Sequence, residues 1–585
     1  MDATAYQPLN LYTNYQQAAQ NYPTTPILLD EVLPAFPELG LESNYQISHE
    51  IIVKRACQLA TLGIKARDKV IMYKSPKFDT YLLAVAASYL GAVPVMISYH
   101  FPTETMEVFV DRLEKPFIIY DDETKERVLA INNLDAERKI EVSRLLASGI
   151  TPVEQVSLDP DEIAYMTHTS ETTGIPKLIC HSYHSMGWRT VWQRTVFTKI
   201  AEKKLVAFHI SPVHSRFNIG VSSLMAMAFP MMPLATSDGE KVASLIAKHQ
   251  PIALETHPNN FVQWSFTAAK QPESFASIRY YHSTFDAINN KTMHTFLKAS
   301  EKQDPIFLQV YGQSECGPMI LKAHTLATLP MDNARDMGGG LGELTKARIA
   351  DEKGNVLPAN QDGHIHFLSK GRALTYYKED QRFKDNVYGD WWDSGDYGCM
   401  DEQGHLYLKD RQVDLIENID SNLALEDFLL DHLDFLSEVV MVRDKQGHAQ
   451  PVIALAPDCE MDWEAWWKQV EDLPHLNAPI IRDFDDIPRT ATMKVRRLYI
   501  EELLKMKDNQ NPQIAHSAFI WGIFLLLIKI NDGFAFDQLM RNHHSTACLL
   551  IIIELMDQTL SRHLTQFSHI YVDTRQIRVH EGRKN

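Results

Sequence analysis

The sequence predicts an α/β protein of more than one domain. Short apolar runs of strand length alternate with helix-periodic segments between residues 46 and 120. At 585 residues the chain also exceeds what a single hydrophobic core holds. Its 45% apolar and 23% charged content is that of an ordinary globular protein.

Residues 51–62 carry helical apolar spacing, and Gly63 supplies the stop. Val70-Ile71-Met72-Tyr73 reads as a strand, 80–90 as a helix, and Ala92-Val93-Pro94-Val95-Met96-Ile97 as the next strand. Phe117-Ile118-Ile119-Tyr120 continues the alternation, which implies βαβ units and a largely parallel sheet. Glu162-Ile163-Ala164-Tyr165-Met166-Thr167 is a further apolar strand. The Met-rich residues 222–233 read as core more readily than as a pocket wall. Towards the C-terminus, 423–435 has helical spacing and two strands follow, at 439–442 and 452–455, a small α+β pattern. Beyond 506, the runs 518–528 and 548–555 are strongly apolar, yet each is too short to span a bilayer as a helix. Burial is their expected fate, with membrane contact the less favoured alternative.

The net charge of −18 argues against a nucleic-acid surface, while leaving room for one nucleotide in a local positive cleft. Six scattered cysteines form no CxxC or Cys/His ligand spacing, which favours reduced thiols in a cytoplasmic protein. Met1-Asp2-Ala3-Thr4 does not open a signal peptide.

Five stretches carry chemistry. Thr169-Ser170-Glu171-Thr172-Thr173-Gly174-Ile175-Pro176-Lys177 crowds hydroxyls, a Gly and a Lys onto one turn, which suits phosphate oxygens but lacks the Gly-Lys-Ser/Thr ending of a P-loop. Tyr311-Gly312-Gln313-Ser314-Glu315 offers a ring to stack on a base, a hydroxyl for the α-phosphate and a carboxylate for Mg²⁺; the plain alternative is a capped strand end. Trp392-Asp393-Ser394-Gly395-Asp396-Tyr397-Gly398 places Asp396 on a Gly turn, suited to ribose hydroxyls or simply to a hairpin. Asp410-Arg411-Gln412-Val413-Asp414 and Ile487-Pro488-Arg489-Thr490-Ala491-Thr492-Met493-Lys494 complete the series. Gly338 to Gly342 forms a Gly-rich loop between them, and His214, beside apolar residues, is either a core residue or a substrate contact.

In this order the motifs resemble those of the adenylate-forming superfamily of acyl-CoA synthetases, luciferases and adenylation domains. The resemblance covers about residues 10–505. It implies a large multi-sheet N-terminal domain over 1–411, a small mobile α+β domain over 412–505, and an unassigned tail over 506–585, expected to be helical. It assigns Thr169, Ser170, Thr172, Thr173, Gly174 and Lys177 to phosphate, Tyr311 and Gly312 to the nucleotide, Asp396 to ribose, and Arg411 to ribose or phosphate. Ser314, Glu315 and Lys494 become the catalytic set, with Glu315 on Mg²⁺. The implied reaction is ATP-dependent activation of a carboxylic acid, a fatty acid foremost, to an acyl-adenylate, followed by transfer to a thiol. CoA is the leading acceptor. An acyl carrier protein's phosphopantetheine and a homologue that binds without turnover are the alternatives. Departures keep them open: Glu171 and Leu178 replace glycines, 283–287 lacks the small residues of the adenine turn, Met493 precedes the lysine, and 417–420 has no Gly to admit pantetheine.

Overall fold

The computed structural model describes residues 4–510 apart from 170–174, 201, 285–287, 332–334, 418 and 491–493, and only the backbone of 331 and 507–510. The chain divides into two units, Met1–Leu504 and Lys505–Asn585. Of the second, only the end of the helix Arg497–Gln510 is described, so both apolar runs of the tail lie outside the described residues.

The alternating N-terminal pattern builds a seven-stranded sheet, ordered Thr375–Tyr376, Leu178–His181, Tyr165–His168, Val93–Met96, Lys69–Met72, Phe117–Tyr120, Lys139–Glu141. The strands from Tyr165–His168 onward are parallel, and they are buried on both faces as continuous apolar runs require. The helix feeding it, Tyr45–Thr61, starts six residues earlier than its apolar spacing shows, because Asn44 caps it by accepting from Ile47 N–H at 2.9 Å. Gly63 ends it at φ 97°.

A second sheet of 14 strands runs parallel through Met231–Pro233, Val206–His209, Ala253–Thr256, Tyr280–Thr284 and Ile306–Gln313. It turns antiparallel at Gly317–His324 and continues through Asp336–Gly340, Leu406–Arg411, Trp391–Met400, Gly363–Ser369 and Thr345–Ala350. Helices Tyr183–Phe197 and Ser215–Ala226 pack on one another beside it. Most of 222–233 is buried, as core.

The expected Gly-rich loop at 338–342 is largely a strand. Gly338, at φ +81°, lies so close to its neighbour that a Cβ would stand 2.1 Å from Leu321 O, and one on Gly340 would stand 2.3 Å from Thr345 O. The glycines there serve close approach of three backbones, not a turn. Likewise Gly395 and Asp396 lie within one long bulged strand, Trp391–Met400, in which Asp396 pairs in register with Arg411, instead of on a hairpin turn.

After Leu406–Arg411 comes a 3-10 turn, Gln412–Asp414, with Val413 exposed. Beyond it stands a separate three-stranded sheet, Leu436–Arg443, Ala449–Leu455 and Ile480–Ile481, packed on helix Asn422–His432. Ion pairs tie this part to the larger sheet's side: Arg335 Nε donates to Asp427 at 2.8 Å, and Lys291 pairs with Asp434 while its N–H reaches Asp431 at 3.3 Å. The five described cysteines are free thiols. No helix among the described residues is long and apolar enough to cross a membrane.

Gly338→Ala is expected to cost about 2–4 kcal/mol, combining a left-handed backbone with overpacking. The check is a lower denaturant midpoint at unchanged slope; an unaltered midpoint contradicts the close approach.

Candidate active site

The stretch leaving strand Tyr165–His168 is closed at its base. Thr169 N–H donates to Lys177 O at 3.0 Å, and Lys177 N–H returns to Thr169 Oγ1 at 3.0 Å. His168 accepts from Ser98 N–H through Nε2 at 3.2 Å, so its Nδ1 donates to Thr169 O at 2.9 Å. This arrangement needs a neutral imidazole, and burial pulls its pKa down to about 4. Ser170, Thr172, Thr173 and Gly174, with Glu171 among them, lie outside the described residues.

Thr169 and Lys177 line a cavity of about 470 Å³ together with Gly312, Ser314, Glu315, Asp396, Arg411 and Lys494. The sheet thus gathers every described candidate except Tyr311. Tyr311 lines an adjoining cavity of about 150 Å³ that shares Asp396, Arg411 and Lys494 with the first. There its ring meets Phe367 edge-on at 5.4 Å and its hydroxyl donates to the Asp396 carboxylate. This hydrogen bond orients the Asp396 carboxylate. Arg411 gives Nε and Nη2 to Asp414, at 2.7 and 2.6 Å, so its guanidinium reaches the cavity already oriented. Lys494 is pinned through its main chain, donating to Thr490 Oγ1 at 3.1 Å and accepting from Thr490 N–H at 2.7 Å. It lines both cavities. His214 lines the larger one and is buried; burial, then His257, His168 and Lys494, hold its pKa well below the ordinary value.

Glu315 Oε1 accepts from the Tyr376 hydroxyl at 2.7 Å, and the Tyr376 ring carries Lys177 Nζ 4.8 Å from its centroid. Among the described residues no group of three or more His, Cys, Asp or Glu could enclose a metal. A single cavity carboxylate nevertheless fits Mg²⁺, which takes one or two protein carboxylates and completes its shell with phosphate oxygens and water.

Three features escaped the motif reading. Arg189 is fully buried and donates to Gly371 O at 2.7 Å, Glu315 O at 2.8 Å and Ser215 Oγ at 3.2 Å. Tyr376 is the second. The third is a charged cluster: Arg216 grips Glu255 in a fork, Nε to Oε1 at 2.5 Å and Nη2 to Oε2 at 2.7 Å, donates to Gln193 Oε1, and lies 3.3 Å from His282 Nδ1. Burial would raise the Glu255 pKa, but Arg216 and His282 outweigh it and hold the carboxyl far below its usual range. Arg216 lines the nucleotide-sized cavity and also a second, apolar one of about 420 Å³, whose walls include Phe197, Phe208, Phe217 and Leu224. A lone Glu within the apolar stretch Ala253-Leu254-Glu255-Thr256 was the one available signal.

The sequence pattern of AMP-binding enzymes matches residues 15–377. The chain belongs to the AMP-binding enzyme family. This AMP-binding enzyme is 33% identical over 530 residues to the 3-amino-2-hydroxy-4-methoxybenzoate diazotase of Streptomyces cremeus, spanning 84% of this chain and 95% of that one. It is 23% identical over 499 residues to a 2-succinylbenzoate–CoA ligase of Geobacillus sp. (strain WCH70), spanning 79% and 92%. Its fold matches the o-succinylbenzoate CoA synthetase of Bacillus subtilis, solved with AMP, at a TM-score of 0.69 and 17% identity, over 84% of this chain and 98% of that one. An AMP-binding enzyme of this kind is an adenylate-forming ligase that consumes ATP, with a large N-terminal and a small C-terminal domain.

Two outcomes are expected at this site. Tyr376→Phe removes a hydrogen bond to Glu315 and should lower kcat/KM for ATP roughly three- to tenfold, measured by initial rates at saturating Mg²⁺. His168 binds its proton near 6.5 when unfolded and near 4 when folded, so the unfolded chain holds more protons between those values. Stability should therefore fall by roughly 3 kcal/mol from this group as pH drops from 6.5 to 4. A His168→Gln variant should show a shallower pH slope in denaturant titrations, and an identical slope contradicts the assignment.

Proposed function

We propose that the protein uses ATP to adenylate an aromatic carboxylic acid and passes the acyl group to a thiol. In the first step a carboxylate oxygen attacks the α-phosphorus and pyrophosphate leaves. In the second the thiol sulfur attacks the acyl carbon and AMP leaves. Positioning and charge neutralisation dominate adenylation, since phosphoryl chemistry asks little covalent work of a protein. Lys494 supplies positive charge where negative charge develops, Ser314 and Thr169 offer hydroxyls to phosphate oxygens, and Glu315 would hold Mg²⁺, which would supply charge neutralisation for the phosphates. Asp396, oriented by Tyr311, takes the ribose hydroxyls, and Arg411 lies beside it. CoA is the thiol favoured by the ligase relative, with carrier-protein pantetheine as the alternative because 417–420 has no Gly.

The observation that carries the aromatic reading is the apolar cavity that shares Arg216 as a wall with the nucleotide-sized cavity. Its phenylalanine-rich wall suits a ring, and an aliphatic chain would have to pass a buried ion pair without hydrogen-bonding to it. This favours an aromatic acid over the fatty acid that the motifs suggest. The benzoate derivatives in the relatives' names point the same way.

A second reading rests on the 33% identity to a diazotase. Nitrite oxygen would attack the α-phosphorus in place of a carboxylate, releasing pyrophosphate. An aromatic amine would then attack the nitrosyl nitrogen, AMP would leave, and loss of water would give the diazonium.

Pyrophosphate release is the test, measured with aromatic and fatty acids, with and without CoA, and with nitrite plus an aminobenzoate. Acid-dependent release with aromatic acids supports the first reading, and release that needs nitrite supports the second. Silence in every arm overturns both. Lys494→Ala should reduce adenylation on the order of a hundredfold while sparing thiol transfer from preformed acyl-adenylate. Equal damage to both half-reactions would remove Lys494 from the chemistry.

A further inference from the structure

The charged cluster between the two cavities is built from four elements that the fold brings together. Arg216 stands in the first turn of helix Ser215–Ala226, Glu255 on strand Ala253–Thr256, His282 on strand Tyr280–Thr284 and Gln193 on helix Tyr183–Phe197. Glu255 and His282 are direct neighbours across parallel strands. Arg216 is satisfied by this arrangement, with the Glu255 carboxylate on one edge and Gln193 Oε1 on the other.

Two polar atoms are left over. Gln193 is fully buried, and because its Oε1 accepts from Arg216 its amide orientation is fixed. Its Nε2, a donor with two hydrogens, has no hydrogen-bond partner among the described residues. The same holds for Nε2 of His282, a residue only 8% exposed. His282 Nδ1 lies between Arg216 Nη2 at 3.3 Å and Glu255 Oε2 at 3.2 Å, so Nε2 donates in one tautomer and accepts in the other. Both residues line the apolar cavity of about 420 Å³. A buried donor with no acceptor is destabilising, and one on a residue of a cavity wall is relieved when a bound molecule brings an acceptor.

We infer that Gln193 is a specificity residue, and that the substrate of this cavity is an aromatic acid bearing a hydroxyl or methoxyl oxygen that accepts from Gln193 Nε2. His282 Nε2 complements it by meeting a neighbouring hydroxyl or amine in either sense. Arg216 and Glu255 hold both side chains in place and are positioning residues. The inference rests on reading this cavity as the acid's pocket. A site that hydrogen-bonds a substituent rejects the analogue lacking it, because its own buried group is then left unpaired.

Calorimetry on the full chain, with a non-hydrolysable α,β-methylene ATP analogue present, tests this apart from turnover. The probes are benzoate and the hydroxy- and methoxybenzoates. At least one oxygen-bearing acid should bind roughly ten- to a hundredfold more tightly than benzoate. Gln193→Glu keeps an acceptor for Arg216 while removing the donor, and should abolish that preference without weakening benzoate by more than about threefold. Gln193→Leu, checked for an intact thermal transition, should do the same. Equal binding of all probes, no binding of any, or a preference that survives both variants would overturn the assignment. Failure of the adenylation reading shows separately, as absent pyrophosphate release from a protein that still discriminates in binding.

Discussion

A guanidinium sealed from solvent holds the two halves of the catalytic body in register. Arg189 projects from helix Tyr183–Phe197 and donates to carbonyls at Glu315 and Gly371, which belong to distant stretches of chain, and to the hydroxyl that opens helix Ser215–Ala226. Burial lowers its pKa only to about 10, so it stays charged and its hydrogen bonds to the two carbonyls are charge-assisted. The glycines around it follow from this demand. A Cβ on Gly317 would meet Arg189 Cγ at 2.9 Å, and one on Gly371 would meet it at 2.7 Å. The place of the Glu315 carboxylate is thus set by a residue with no motif of its own.

The same economy governs the junction of the cavities. A buried ion pair contributes little net stability over a well-packed apolar alternative, so its presence calls for another reason. The Arg216–Glu255 fork places rigid polarity between a polar cavity and an apolar one. The relatives named for benzoate derivatives act on acids of that mixed character.

The alternation of the first 120 residues was readable because parallel strands buried on both faces leave continuous apolar runs, and the helices between them keep their stripe. The motifs stood out where local chemistry is dense, and Lys177, Ser314, Glu315 and Lys494 from three of them line one cavity. What escaped were long-range pairings. Arg189 and Gln193 look like polar positions on an ordinary helix until the fold seals them, and Tyr376 lies 61 residues from the carboxylate it serves. Local reasoning also misjudged Gly338–Gly340, where glycine serves strand approach instead of a turn.

The ion pairs that join the small sheet's side to the body differ in kind. Arg335 and Asp427 are largely shielded, their side chains 8% and 14% exposed, whereas Lys291 and Asp434 are open at 43% and 91%. Dissolved salt screens the second pair and barely reaches the first. Rising ionic strength therefore loosens the outer clasp between these two parts well before it reaches the inner one.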